Sequence, residues 1–191
     1  MQVTEELLTC AYFESLGFYT RFVVPNGKDG GADVRILEAR NPELAPDSAK
    51  HDHSFQLFSA DLLKIYALSL ILIPWPSSIW EASTLKNSKR LNAGIKKSLK
   101  NLKPVALENN DKEPLILPVP AWPTAEGDKK QSTELIQSLG IQGVITYRNM
   151  LNKLATHSEA PLSGHNPIPG TLRMLKAFQL LSDPQRDFFS Q

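Results

Sequence analysis

Apolar and polar positions follow two periods along this chain. Leu7, Leu8, Ala11, Tyr12 and Leu16 recur at helical spacing behind Thr4-Glu5-Glu6, a capping residue with first-turn carboxylates, and they predict a helix that Gly17 ends. Phe18 to Val24 is aromatic and β-branched and predicts a strand, and Pro25-Asn26-Gly27-Lys28-Asp29-Gly30-Gly31 predicts the turn of a hairpin. The period then drops to two. Ala32, Val34 and Ile36 take one side of the next strand, expected on the core, and Asp33, Arg35 and Leu37 take the other.

Asn41 to Ser54 is polar, carries Pro42 and Pro46, and predicts a surface loop. Phe55 to Phe58 can start another strand, and Ala67 to Ile73 is nearly continuously apolar, as central strands are. Pro74-Trp75-Pro76 stops that run, and Ser77 or Ser78 can cap a helix from Ile79-Trp80, continued by the stripe Leu91, Ile95, Leu99 and Leu102. Leu115 to Pro120 reads as a short strand whose prolines place it near a sheet edge. A helix from Ser132 to Leu139 closed by Gly140, a strand Gly143 to Thr146 and a helix Tyr147 to Leu154 complete a domain over 1–157. Ser158 to Gly170 has linker composition. Thr171 to Leu181 is an amphipathic helix that must bury Leu172, Leu175, Phe178 and Leu181 on the main body or on another subunit, so 158–191 reads as a linker and helical appendage open to homo-oligomer formation.

The 191 residues suit one domain, or one domain with a tail. With 21 Lys+Arg against 20 Asp+Glu there is no global field toward nucleic acid or membrane, so any such attraction must be local. It is found in the helix after Pro76: Lys86, Lys89, Arg90, Lys96, Lys97, Lys100 and Lys103 stand with no acid between Ala82 and Leu107. Such a face either solvates the protein or holds a phosphate backbone in a salt-sensitive way, which makes DNA or RNA the partner to test at Lys86, Lys89, Arg90, Lys96, Lys97 and Lys100. Trp75, Trp80 and Trp122 can stack bases or pack in the core. The single cysteine, Cys10, forms no internal disulfide and fits a reducing cytosol. There is no signal-peptide pattern at Met1 to Glu6, and the longest apolar stretch, Ile65 to Pro76, is too short for a bilayer of about 30 Å. A cytoplasmic location without membrane contact is expected. No Walker loop, dinucleotide fingerprint or nucleophile elbow is present.

Three features together resemble the restriction-endonuclease-like PD-(D/E)xK nuclease superfamily over Thr4 to Leu154. They are the order of elements, the phrase Tyr12-Phe13-Glu14-Ser15-Leu16-Gly17-Phe18 before a Gly-Ala-Asp strand, and the closing Leu139-Gly140-Ile141 with Gly143-Val144-Ile145-Thr146-Tyr147-Arg148. The resemblance implies a three-layer α/β/α core with a mixed central sheet and, here, a small C-terminal helical appendage. It implies Mg²⁺ held by an Asp on the second strand and by an acid-x-Lys triplet on the third, for phosphodiester hydrolysis. Asp33 matches the first position and is the metal-ligand candidate. The third strand, Ala67 to Ile73, has neither acid nor lysine, a departure that leaves a divergent nuclease or a fold that has lost catalysis and kept binding.

Substitutes for the triplet are Glu38 of Glu38-Ala39-Arg40, although five residues from Asp33 puts it on the opposite face, and Lys64 of Asp61-Leu62-Leu63-Lys64, one residue too long. Glu14 or Glu6 of the first helix can add a carboxylate. The structural alternative for Asp33 is to cap the glycine turn or to pair with Arg35. A second resemblance, to tRNA-splicing endonucleases, rests on Arg90-Leu91-Asn92-Ala93-Gly94-Ile95-Lys96-Lys97-Ser98-Leu99, on His53-Ser54-Phe55 and on Gly31-Ala32-Asp33, and implies metal-independent RNA cleavage with His53 and Lys97. The tyrosine it calls for shortly before His53 is missing. The remaining alternative is a non-catalytic protein-interaction or assembly subunit.

Overall fold

A computed structural model describes residues 2–23, 35–45, 54–73, 113–120, 122–156, 168 and 170–172. Their elements run α1 (Gln2–Ser15), β1 (Tyr19–Val23), β2 (Arg35–Arg40), α2 (Ser59–Leu62), β3 (Ala67–Leu72), β4 (Leu115–Val119), α3 (Glu126–Gln137), β5 (Gly143–Thr146) and α4 (Tyr147–Thr156). The strands form one mixed sheet in the order β1-β2-β3-β4-β5. β2 is antiparallel to both neighbours, while β3, β4 and β5 are parallel, so β2 alone runs against the other four.

α1 ends as its residues dictate. Gly17 takes φ +87, the left-handed conformation that costs a glycine nothing. The Phe18 amide then donates to the Phe13 carbonyl and the Gly17 amide to that of Glu14, which satisfies the carbonyls the last turn leaves open. Phe13 and Phe18 complete this stop with an edge-to-face contact at 5.4 Å. The chain turns straight into β1.

β3 is the central strand, and Leu68, Leu70, Ile71 and Leu72 are buried on both of its faces. β2 departs from the expectation of one apolar side. Ile36 is buried, but so are Leu37 and Ala39 on the Arg35 side, because α1 lies there and pairs its Glu6 with Arg35. The Leu115 strand also differs from its expected place. β4 is interior, between β3 and β5, and its prolines do not exile it to an edge. The β3 register, Ser69↔Leu115 and Leu70↔Ile116, stops short of Pro118, so the missing amide falls beyond that ladder.

Residues 55–57 return to the sheet on the outer side of β5. Leu57 donates to the Val144 carbonyl and Val144 donates to the Phe55 carbonyl, both at 2.8 Å, and Gln56 bridges Val144 in parallel. Fully buried Leu57 locks the segment down. α4 follows directly on Thr146, whose hydroxyl accepts from the Asn149 amide at 3.2 Å in the manner of a helix cap, and it buries Tyr147, Met150 and Leu154. Beyond α4, Leu172 is buried and Ile168 packs on the same core. No helix among the described residues is long and apolar enough to cross a membrane.

Candidate functional site

Asp33, the basic residues Lys86, Lys89, Arg90, Lys96, Lys97 and Lys100, and His53, Trp75 and Trp80 lie outside the described residues. The sequence candidates Glu14, Glu38, Lys64 and Glu6 lie within the described residues.

These four are not brought together. Glu14 is exposed at the end of α1 and accepts from the Thr20 hydroxyl at 3.0 Å. Glu6 sits eight residues back, about 12 Å along the helix. Glu38 alternates with Arg35 across β2 and so faces the other side of the sheet, where Arg21 of β1 holds it at 2.6 Å. Lys64 is exposed in the turn after α2, three residues before Ala67, which pairs with Arg40. Arg35 pairs with Leu72 at the other end of the same strand, about 16 Å away at the rise of a β-strand. Asp61, the other end of that four-residue stretch, uses its carboxylate locally, accepting from the Phe58 amide at 3.0 Å and from the Ser54 hydroxyl at 3.5 Å. The turn does not aim it at Lys64.

The pairing that stands out is Glu6 with Arg35. Glu6 is 8% exposed and the only buried carboxylate among the described residues. Arg35 opens β2, and its Nη1 donates to Glu6 Oε2 at 2.9 Å. Because Glu6 comes from α1, the contact spans 29 residues and nothing local in the sequence announces it. The hint available is that Arg35 heads a strand side otherwise made of buried Leu37 and Ala39, where a guanidinium needs an acid from whatever covers it. Next to Glu6, Glu5 is held above the ordinary carboxylate range by burial.

A Mg²⁺ site requires several oxygen ligands converging on one point. Among the described residues no group of three or more His, Cys, Asp or Glu is so placed. β3, the strand that would carry the acid-x-Lys triplet, has Ser69 as its only polar residue. Of the two carboxylates expected from the first helix, Glu6 is already paired with Arg35 and Glu14 accepts from the Thr20 hydroxyl. The described residues by themselves do not assemble a Mg²⁺ site.

Trp122 is half-buried against Phe55, ring centroids 5.7 Å apart. With Phe58 and α3 it lines a groove of about 480 Å³ beside residues 54–56. Lys129 and Lys130 in its wall are balanced by Glu126 and Glu134, so no net charge draws a polyanion there. Burial, reinforced by the nearby Glu14 charge, pushes the Cys10 thiol up to about 11 and so disfavours the nucleophilic thiolate at neutral pH.

Comparison with known protein families, with curated proteins and with solved structures finds no match to this chain.

Proposed function

We propose that this chain is a nucleic-acid-binding protein built on a restriction-endonuclease-like scaffold that does not cut by the metal-dependent route. The scaffold reading is supported by the element order, a helix and three strands with short α2 between the second and third, then a strand, a helix, a strand and a closing helix, and by a mixed sheet in sequential order with only β2 reversed. The carrying observation for lost metal catalysis is β3. Ala67-Leu68-Ser69-Leu70-Ile71-Leu72 forms the centre of the sheet and offers neither a second carboxylate nor a lysine to a metal-bound water. Binding is supported by the run from Lys86 to Lys103, seven positive charges with no acid among them in a chain of net charge +1.

The test is titration of labelled duplex and single-stranded DNA and RNA at two salt concentrations, with parallel incubation in Mg²⁺ or Mn²⁺. Binding that weakens with salt and falls on reversing Lys96 and Lys97 to Glu, without cleavage, supports the reading. Absence of binding at low salt removes it. Cleavage that disappears in Asp33→Ala replaces it with a nuclease.

A further inference from the structure

We infer that the cation at the head of β2 is supplied by the chain: Arg35, seated on the buried Glu6, neutralises the carboxylate of the first helix and turns its remaining donors to a backbone phosphate. The inference rests on the nucleic-acid reading above and names a residue and a mode of contact for it.

Burying a carboxylate carries a desolvation cost. Glu6 is 8% exposed, and an ionised group so placed must be paired and hydrogen-bonded. Where a metal-dependent scaffold would use a divalent ion for this, the described residues use a guanidinium at 2.9 Å. The bond is single, Nη1 to Oε2, and it is the only ion pair or side-chain hydrogen bond of Arg35 among the described residues. A guanidinium carries five N–H donors in a rigid plane, so one bond to Glu6 fixes its position and leaves the outer edge of the fork unspent. That edge faces water, the Arg35 side chain being 53% exposed against 11% for Glu6. A planar fork held from behind by a buried acid and open in front matches the geometry by which arginine takes two phosphate oxygens.

Arg21 makes a superficially similar pair with Glu38 but is 69% exposed and lies on the opposite face of the sheet, on an edge strand. Arg35 differs in belonging to an internal strand, on the face that α1 covers.

Two measurements test this on the full chain. In the first, affinity for a labelled duplex is followed against salt in wild type, Arg35→Gln and Arg35→Lys. Arg35→Gln is expected to bind about tenfold more weakly, with a slope of log affinity on log salt flatter by about 0.9 for the one phosphate lost, and Arg35→Lys to keep the slope while losing part of the affinity. Because Arg35→Gln strands a buried acid, the double variant Glu6→Gln/Arg35→Gln, which leaves two amides in place of the ion pair, must show the same binding loss at a melting temperature near that of wild type. In the second, Mg²⁺ and Mn²⁺ are titrated against the wild-type melting temperature, which is expected not to move.

Binding by both variants at the wild-type level overturns the inference, as does a saturable rise in melting temperature with Mn²⁺ that Glu6→Gln removes. If binding collapses on reversing Lys96 and Lys97 but is indifferent to Arg35, this inference alone falls. If wild type does not bind at low salt, the functional reading falls with it.

Discussion

Arg21 of β1 stands directly across the ladder from Glu38 of β2, and Arg21 Nη2 meets Glu38 Oε2 at 2.6 Å. The register of the β1–β2 pair alone creates this contact, and it gives Glu38 a structural role on the face opposite Arg35. Glu38→Gln is therefore expected to leave nucleic-acid affinity unchanged and to lower stability by about 1 kcal/mol, since the arginine of the pair is exposed although Glu38 is largely covered. Urea unfolding of Glu38→Gln, Arg21→Gln and the double variant checks this. A large binding defect in Glu38→Gln would contradict the assignment.

Tyr12 of α1 is fully buried, and its hydroxyl lies 3.1 Å from that of Ser59, which opens α2. This is a direct tie between the first helix and the crossover from β2 to β3. Tyr12→Phe keeps the ring and its edge contact with Phe13 and removes the bond, so it should cost about 0.5–1.5 kcal/mol. Adding Ser59→Ala should then cost little more. Equal, additive losses in the double-mutant cycle would show that the two hydroxyls act independently.

Two groups on α1 titrate late. Burial pushes the Cys10 thiol up to about 11 and raises the Tyr12 phenol above its ordinary value. For an acid whose folded pKa is raised, the unfolded chain gives up its proton first. The stabilisation is thus complete below the unfolded value, about 8.5 for a thiol, and is lost as pH climbs through the folded one. Stability measured by urea should be flat near pH 8 and fall toward pH 11, and Cys10→Ala should flatten part of that fall. An unchanged slope in Cys10→Ala would show that the thiol does not contribute. Slow alkylation of native Cys10 at neutral pH is expected from the same burial.

Gly143 starts β5 in a tightly packed place. A Cβ there would lie 3.0 Å from Ile116 Cδ1 and 3.2 Å from both Leu57 Cδ1 and the Phe55 carbonyl oxygen. The methyl of Gly143→Ala presses on backbone as well as side chain, so the expected penalty is about 1–3 kcal/mol, read as a fall in melting temperature. Leu57→Ala in the same background should relieve only the Leu57 contact and leave those with Ile116 Cδ1 and the Phe55 carbonyl oxygen.

What the sequence disclosed follows how local each signal is. Gly17 and the apolar run of β3 are readable because a left-handed glycine and a two-faced strand need no knowledge of partners. α3 begins at Glu126, six residues before its expected start at Ser132, because Glu126-Gly127-Asp128-Lys129-Lys130-Gln131 contains no apolar residue from which a period can be read. β4 was expected near an edge because a proline advertises its missing amide but not where the neighbouring ladder ends. For the candidate site, the absence of an acid-x-Lys triplet was plain from composition. The Glu6–Arg35 and Arg21–Glu38 pairs were not, since each depends on packing or register fixed by residues far apart in the chain.

Residues 55–57 lie in sequence between two neighbouring strands, β2 and β3, yet their backbone is hydrogen-bonded at the opposite margin, to Val144. β5 cannot then peel away without dragging on the chain between β2 and β3, because that chain must release Val144 before it is free. The amides of Leu57 and Val144 should accordingly exchange with solvent only through global opening, at the same slow rate as those of β3, giving a sheet that comes apart in one step.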